Sequence, residues 1–563
     1  MTRPRRPPRR PSPAPSPPIP STPAPVAAAR RSTVGKRWFW AAGLAALLVA
    51  LTVLAWRVGV PATRAEAVEF EFPEPNFATL TEPKIRELCS RCHLFPAPDI
   101  LPREQWSTTI WQMYVEAGYG RTVPWPLAPA ELIAWYEQRA PEHLPVSSAV
   151  NDAARGAGEA SPPTVEFHQR NVLLSDQPHP FTSDIQIANV LRSDALEVVV
   201  CDMHSGAILL AGADSLLGAT QRGPAATVGH VTHPARVHVV DLDQDGRQDL
   251  VVADLGSFMA LDHNLGSVVW LRQTDDATFE PIPLATQLGR VADVQTDDID
   301  GDGDLDLLVA EFGWKFTGHV IVFENESTAP GDVRFSRHDI DGLAGAMQIA
   351  AGDFDHDGRR DMLVLYSQQH EMLRYYLQRG EFVYEVVDIH RAPHPAWGYT
   401  GFQLADLDGD DDLDVLLTNG DMFDNSIVKP YHGIEWLENQ GALRFEPQWL
   451  TALPGAYRAV AADVDNDGDQ DIVACALVEN PQFIGDASRS QFDGLIWLEQ
   501  THRGQFVRHA IDRDSPQHAT LAIADLDRDG WLELLVGAGE FQAISTAAAA
   551  VLVEVWRTPG ETP

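Results

Sequence analysis

The sequence predicts a mainly β fold: a seven-bladed β-propeller preceded by a small all-α domain and one transmembrane helix. Three observations carry that prediction. An aspartate-rich unit between apolar strands recurs every 52 to 62 residues from residue 165 onward. A run of nineteen residues without a charge, 38–56, is long enough to cross a bilayer as a helix. Between them, residues 70–147 carry helix-forming stretches and two of the four cysteines. At 563 residues the chain exceeds one ordinary core, so more than one folded unit is expected.

The repeat centres on Asp-x-Asp-x-Asp-Gly-x-x-Asp. "DLDQDGRQD" (241–249), "DIDGDGDLD" (298–306), "DFDHDGRRD" (353–361) and "DVDNDGDQD" (463–471) match in full. "DLDGDDDLD" (406–414) has Asp411 in the glycine position, and "DLDRDGWLE" (525–533) ends in Glu533. "NVLRSDALE" (189–197) has lost its acids but keeps its strands, which makes seven units. Carboxylates at positions 1, 3, 5 and 9, with the carbonyl of position 7, can wrap one hard cation in oxygen, and glycine at position 6 permits the sharp turn. The expected ligands of up to six calcium ions are Asp241, Asp243, Asp245 and Asp249; Asp298, Asp300, Asp302 and Asp306; Asp353, Asp355, Asp357 and Asp361; Asp406, Asp408, Asp410 and Asp414; Asp463, Asp465, Asp467 and Asp471; and Asp525, Asp527, Asp529 and Glu533. Solvated acidic turns are the alternative. Asp411 has to adopt a strained turn, so its site should be the weaker one.

Each unit reads as four strands. In the sixth, "AYRAVAADV" precedes the acidic loop, and "DIVACALV", "GLIWLEQ" and "QFVRHAI" follow it. Antiparallel four-stranded units in this number predict a propeller. The last unit stops at its third strand, "AAVLVEVW", while "TVEFHQRNVLL" (164–174) matches the fourth-strand pattern. The first strand is therefore expected to complete the last blade and remove exposed edges. These repeats resemble the FG-GAP/VCBS repeats of integrin α-chains and many bacterial surface proteins, over residues 165–557. Such a resemblance implies fold rather than activity.

The formal charge is −38, and residues 1–37 hold nine Lys/Arg and no acid, so the remainder carries −47. An anionic body of this kind disfavours nucleic acid and anionic lipid. Residues 1–37, with eleven prolines, are expected to be a disordered cytoplasmic tail. Arg30, Arg31, Lys36 and Arg37 place that tail inside by the positive-inside rule, and Trp38, Trp40 and Trp56 suit the two interfaces of a signal anchor. A cleaved signal peptide is the alternative. Either reading puts the bulk of the chain in the periplasm or another extracytoplasmic space, with linkers at 57–69 and 148–163 and the propeller at 164–557.

"CSRCH" (89–93) is the attachment pattern of a c-type haem. Cys89 and Cys92 would form thioethers to the vinyl groups, and His93 would reach the iron. Thr81 can cap a helix, Pro83 suits its first turn, and "KIRELCSRCH" continues without a breaker. A redox dithiol, a zinc site using His143 and a strained local disulfide are the alternatives. Residues 70–147 resemble a small cytochrome c domain, and "CSRCHLFPAPDILPREQWSTTIWQM" is similar to the haem-binding stretch preceding propellers in bacterial exported proteins. The resemblance implies a second axial ligand. Met113, on an expected helix 104–117 with Trp106 and Ile110, is the local candidate; packing alone is its other reading. Another helix is expected over 129–140, and with so little core the covalently held haem would serve as the centre of this domain. Cys201 and Cys475 occupy one equivalent repeat position, matched elsewhere by Ala253, Ala310, Leu365, Thr418 and Gly537, so a small buried slot and no disulfide are expected.

With strands lettered A to D along each blade, the acidic A–B loops share one face with the C–D turns. Long B–C insertions (419–433 and 478–494) reach the opposite face, together with His179, His233, His394, Tyr457, Arg458 and His518 on or near the D–A connections. Ordinary loop variation is the alternative there. The functional reading is a membrane-anchored, exported c-type cytochrome fused to a calcium-binding propeller. Haem would transfer electrons, and the face opposite the calcium loops would dock a redox protein partner or a small-molecule or glycan ligand. Whether it is an enzyme stays open. A haem-linked oxidoreductase acting on a sugar or alcohol at the propeller mouth, and an adhesion or glycan-binding propeller, are the alternatives.

Overall fold

Among the described residues, twenty-eight strands pair into seven antiparallel four-stranded sheets. The computed structural model describes residues 80–91, 93–116, 127–144, 165–175, 180–191, 195–218, 225–275, 277–327, 333–423, 427–478, 492–513, 515–539 and 553–557. Cys92, His179, the tail 1–37, the apolar run 38–56 and both linkers lie outside them. Among the described residues no helix is long and apolar enough to cross a membrane.

Helix α1 (Glu82–Cys89) opens the helical segment, followed by α2 (Gln105–Glu116) and α3 (Pro129–Glu137). Pro83 sits in the first turn of α1 as expected, but Thr81, though extended at the cap position, makes no side-chain capping bond. The helix also stops at Cys89 instead of running through the motif. Ser90 N–H still bonds Arg86 O at 2.9 Å, Arg91 N–H tightens to Leu88 O at 3.4 Å, and Pro96 and Pro98 bias the chain beyond toward extended backbone. The segment has its own centre: Trp106 stacks on Tyr136 with ring centroids 4.0 Å apart, both essentially unexposed, among Ile85, Ile110, Leu132 and Trp135. Large aromatics form the centre of the described part of this segment.

Strand β1 (His168–Val172) pairs with the last strand, β28, placing Val172 opposite Val553. Blade 1 is β2 (Thr182–Ala188), β3 (Glu197–Asp202), β4 (Ala207–Gly212) and β5 (Ala225–His230), with short helix α4 (Ala213–Leu217) between the last two. Blade 2 is β6 (Pro234–Val240), β7 (Asp249–Asp254), β8 (Gly266–Asp275) and β9 (Thr278–Leu288). Blade 3 is β10 (Val291–Asp297), β11 (Asp306–Glu311), β12 (His319–Asn325) and β13 (Phe335–Asp341). Blade 4 is β14 (Ala346–Gly352), β15 (Asp361–Tyr366), β16 (Met372–Gly380) and β17 (Val383–Arg391). Blade 5 is β18 (Tyr399–Ala405), β19 (Asp414–Asn419), β20 (Gly433–Asn439) and β21 (Phe445–Ala452). Blade 6 is β22 (Ala456–Ala462), β23 (Asp471–Ala476), β24 (Asp493–His502) and β25 (Gln505–Arg513). Blade 7 is β26 (His518–Ala524), β27 (Glu533–Ala538) and β28 (Val553–Arg557), closed by β1.

The second strand of each blade is covered on both sheet faces, which is why "DLVVAD" and "DLLVAE" read as continuous apolar runs. Outer strands such as β17 expose most positions. Every first strand carries a register shift one residue in, as between Thr182 and Asp184 or Ala456 and Arg458. The residue after the shift faces the slot read from the sequence: Asp184 pairs with Cys201 and Arg458 with Cys475. Both thiols are buried and free, and burial pushes both upward.

Candidate functional site

The acidic loops join first and second strands, and their own side chains shape them. The position-1 carboxylate accepts the N–H of position 6: Asp241 from Gly246 at 2.8 Å, Asp353 from Gly358 at 3.1 Å and Asp463 from Gly468 at 3.1 Å. Position 6 is left-handed throughout, from Gly303 at φ 100° to Asp411 at φ 70°. Position 4 is left-handed too, as at Gln244, His356, Asn466 and Arg528. The motif leaves position 4 unspecified, so nothing in the repeat signalled it.

Position 9 is a buried bracket. Asp249 accepts Leu242 N–H at 3.4 Å and Gln273 N–H at 2.7 Å. Asp306, Asp361, Asp414 and Asp471 repeat this with the matching amides of their blades. Burial pushes Asp249 and Asp414 up to about 6 and Asp306 and Asp471 up to about 7, against the pull of those amides. Glu533 holds Leu526 N–H at 2.8 Å. Glu197, in the blade without a metal motif, holds Val190 and Leu191 N–H at 2.8 and 3.1 Å.

Cation-ligand geometry is present in several loops. Carboxylate oxygens of Asp241, Asp243 and Asp249 gather within 4.8 Å of one another, as do those of Asp298, Asp300 and Asp302, of Asp353, Asp355 and Asp357, and of Asp406, Asp408 and Asp414. Asp241 Oδ1 and Asp408 Oδ1 are buried without a hydrogen-bond donor, which suits a hard cation. Arginines share these carboxylates: Arg272 lies 2.5 Å from Asp243, Arg379 2.8 Å from Asp355, Arg503 2.7 Å from Asp408 and Arg557 2.5 Å from Asp527. Position 5 of the same loops is also approached, Asp245 by Arg247 at 2.9 Å, Asp410 by Arg503 at 3.6 Å and Asp529 by Arg557 at 3.5 Å. Only folding brings them there, since Arg503 and Asp408 belong to different blades.

The opposite face gathers aromatic groups. Phe258 sits with its ring 4.6 Å from His204, 6.0 Å from His233 and 6.3 Å from Phe181, and Phe423 meets Tyr457 at 6.1 Å. Phe181, Leu477 and Ala519 pack with Met203, Phe423 and Tyr457, drawing together blades 1, 5, 6 and 7. Beneath them the first strands meet in a polar ring. Arg458 Nη1 lies 3.6 Å from Asp184, and Arg236 Nη1 lies 3.6 Å from Asp293. Asp184 also accepts Val237 N–H, Asp293 accepts Ile349 N–H and Gln348 accepts Phe402 N–H, each stitching one blade to the next. His233 and Tyr457 reach the mouth as expected. Arg458 and His518 do not: Arg458 is paired across to blade 1 and His518 is almost wholly buried.

Beside the mouth, blades 2 and 3 present a rigid apolar surface. Asp262 accepts the N–H groups of Lys315, Phe316 and Thr317 and the Thr317 hydroxyl, at 2.9–3.1 Å. Burial works to raise that carboxyl, but the four donors outweigh it and hold Asp262 below its ordinary range. The paired loops leave Met259, Leu261, Leu265 and Phe316 more than half exposed.

In the helical segment, Cys89 ends α1 half-buried, with the Tyr136 hydroxyl 3.7 Å from its sulfur; burial pushes the thiol up, against that bond. His93 Nδ1 lies 2.6 Å from Leu94 O, which fixes the proton on Nδ1 and leaves Nε2 as a lone pair for a metal. Cys89 and His93 are the described members of the Cys-x-x-Cys-His motif, and both offer a metal or thioether donor. Met113 is half-buried on α2, whose core side presents Trp106, Ile110 and Tyr114. The segment docks on the propeller: Ala396, in the connection from blade 4 to blade 5, packs against its core. His370, in the B–C loop of blade 4, lies within electrostatic reach of His93, and His394 within reach of Asp99.

A family model described as FG-GAP-like repeat matches residues 241–309, 298–364 and 353–417. The chain carries FG-GAP-like repeats. The matched stretch, 241–417, covers the four acidic loops at 241–249, 298–306, 353–361 and 406–414, and the remaining blades share its four-strand order. No curated protein matches the chain. Solved structures similar to it include BBS1N in complex with ARL6DN in a lead-soaked crystal, 11% identical over 71% of this chain and 99% of that one, TM-score 0.39. The same complex soaked with mercury is 11% identical over 70% and 98%, TM-score 0.40. An ancestral GH74 enzyme is 10% identical over 68% of this chain and 48% of that one, TM-score 0.42. Likenesses of this size carry no argument about activity.

Proposed function

We propose that this FG-GAP propeller is the docking body of an exported, membrane-anchored c-type cytochrome. The observation that carries the reading is the Cys-x-x-Cys-His sequence at 89–93, whose described members Cys89 and His93 belong to a helical segment that packs against Ala396 of the propeller. Cys89 and Cys92 would hold the haem covalently and His93 Nε2 would bind its iron. The bound group supplies one-electron exchange. Leu94 O keeps the imidazole oriented, and Tyr136 keeps Cys89 at the edge of the helical core. The exposed Met259, Leu261, Leu265 and Phe316, held firm through Asp262, form a surface suited to a redox protein partner. Calcium in the acidic loops would stiffen the ring from the opposite face. Residues 38–56 would anchor the chain with its N-terminus in the cytoplasm.

A pyridine haemochrome spectrum of the exported region tests the reading. A thioether-type α-band is expected, and its absence in a host that matures such cofactors would end the cytochrome claim. In the same preparation, Met113→Ala is expected to turn a low-spin spectrum high-spin if the thioether is the second ligand. A change on His370→Ala instead would assign that position to the propeller. A second reading, a haem-linked oxidoreductase, draws on the aromatic mouth around Phe258 and Tyr457. Haem reduction by sugars or alcohols would separate it from transfer alone.

A further inference from the structure

We propose that Asp512, His518 and Glu554 form a binding site for one transition-metal dication that staples blade 6 to the ring-closing blade 7. Asp512 lies near the end of β25, His518 begins β26 and Glu554 lies on β28, which β1 closes. His518 Nε2 stands 3.2 Å from Asp512 Oδ2 and 3.9 Å from Glu554 Oε2, and all three ligand atoms lie within 4.8 Å of one another. Bonds of about 2.0–2.2 Å give ligand–ligand edges of roughly 2.8–3.6 Å, so Asp512 and His518 already stand at that spacing and Glu554 would close by a few tenths of an ångström. His518 is 1% exposed and Glu554 8%, so water does little to separate the acids. Trp556 Nε1 donates to Glu554 Oε2 at 3.3 Å, the kind of outer support that orients a ligating carboxylate.

The equivalent positions at the junction of blades 4 and 5 provide an internal contrast. There His390, Tyr399 and Glu435 occupy the places of Asp512, His518 and Glu554, as the strand registers show. His390 Nε2 lies 2.7 Å from the Tyr399 hydroxyl and 3.3 Å from Glu435. One acid, one hydroxyl and one imidazole satisfy one another with protons. At blades 6 and 7 two acids converge on a single imidazole nitrogen, which offers one proton at most between them. A dication on a neutral imidazole and two carboxylates makes the set neutral. The nitrogen ligand favours zinc and its neighbours over calcium, which prefers oxygen.

The test uses the full chain, stripped of metal and then held in millimolar calcium so that the FG-GAP loops are not the readout. Zinc is titrated against a chromophoric chelator. The expected result is one zinc site, weakened roughly tenfold or more by Asp512→Asn and by Glu554→Gln, with zinc raising the melting temperature of the parent only. Asp512 is the least enclosed of the three, so its variant keeps the test decisive where a change at His518 or Glu554 prevents folding. Anomalous scattering at the zinc edge gives a second readout without any variant, with a peak expected between the three side chains. No zinc uptake in calcium, or uptake unchanged in both variants, overturns the proposal.

Discussion

At the scale of single residues, backbone conformation decides more than charge. Asp411 stands at φ 70° where the other loops use glycine, and its N–H still reaches Asp406 at 3.0 Å. The turn therefore forms at a cost a glycine would not carry. Asp411→Gly is expected to stabilise the protein by roughly 1 kcal/mol, read from denaturant unfolding, and to tighten calcium at that loop. His394 sets a pH limit. Burial, then Lys429, lower it to about 4, against the pull of Asp99, from an ordinary value near 6.5. Because the folded form holds this imidazole neutral, its contribution is intact above pH 6.5 and is lost as pH falls toward 4. Unfolding measured at pH 7.5 and 4.5 should show a smaller acid loss in His394→Gln than in the parent. Asp411 and its glycine counterparts were legible in the motif. The neutrality of His394 was not, since its burial comes from Trp397 and Tyr431, whose rings lie 5.3 and 4.5 Å away only in the folded ring.

At the scale of elements, the recurring device is the ninth-position acid. In sequence it reads as a metal ligand, and in the fold its oxygens accept two backbone amides that belong to a loop and a neighbouring strand. Blade 1 keeps the loop half of the device, with Glu197 accepting Val190 and Leu191 N–H while the rest of the motif is missing, so that half is separable from any cation. Glu197→Ala, which strands two amides in a buried setting, is expected to cost roughly 2 kcal/mol or more with or without calcium. Equal stability of parent and variant in urea would remove the bracket's structural role. Strand order, the fully covered second strands and closure by β1 could all be read from apolar runs and a missing fourth strand. The end of α1 could not, because local propensity continues past Cys89 while the chain there tightens into a turn, with Arg91 N–H on Leu88 O.

At the scale of the whole molecule, two opposed faces divide the work. One bears acidic loops threaded by arginines, the other an aromatic mouth, an exposed apolar patch and the docked helical segment. Chelation is therefore expected to lower the melting temperature while leaving any haem spectrum unchanged. Each site at millimolar calcium would add roughly 0.4–1.4 kcal/mol for dissociation constants of about 10⁻⁴–10⁻³ M. Unaltered melting in excess chelator would argue that the guanidinium partners, Arg379 and Arg503 among them, already neutralise the loops. Periodic sequence alone determined the blade count, the strand order, the closure and the places where cations could bind, because spacing and apolar alternation are local properties that every repeat restates. Tertiary structure decided which groups meet. The Arg458–Asp184 pair, the contact of Ala396 with the helical core and the convergence of Asp512 with Glu554 join residues far apart in the chain, and only closing the ring brings their side chains within a few ångströms.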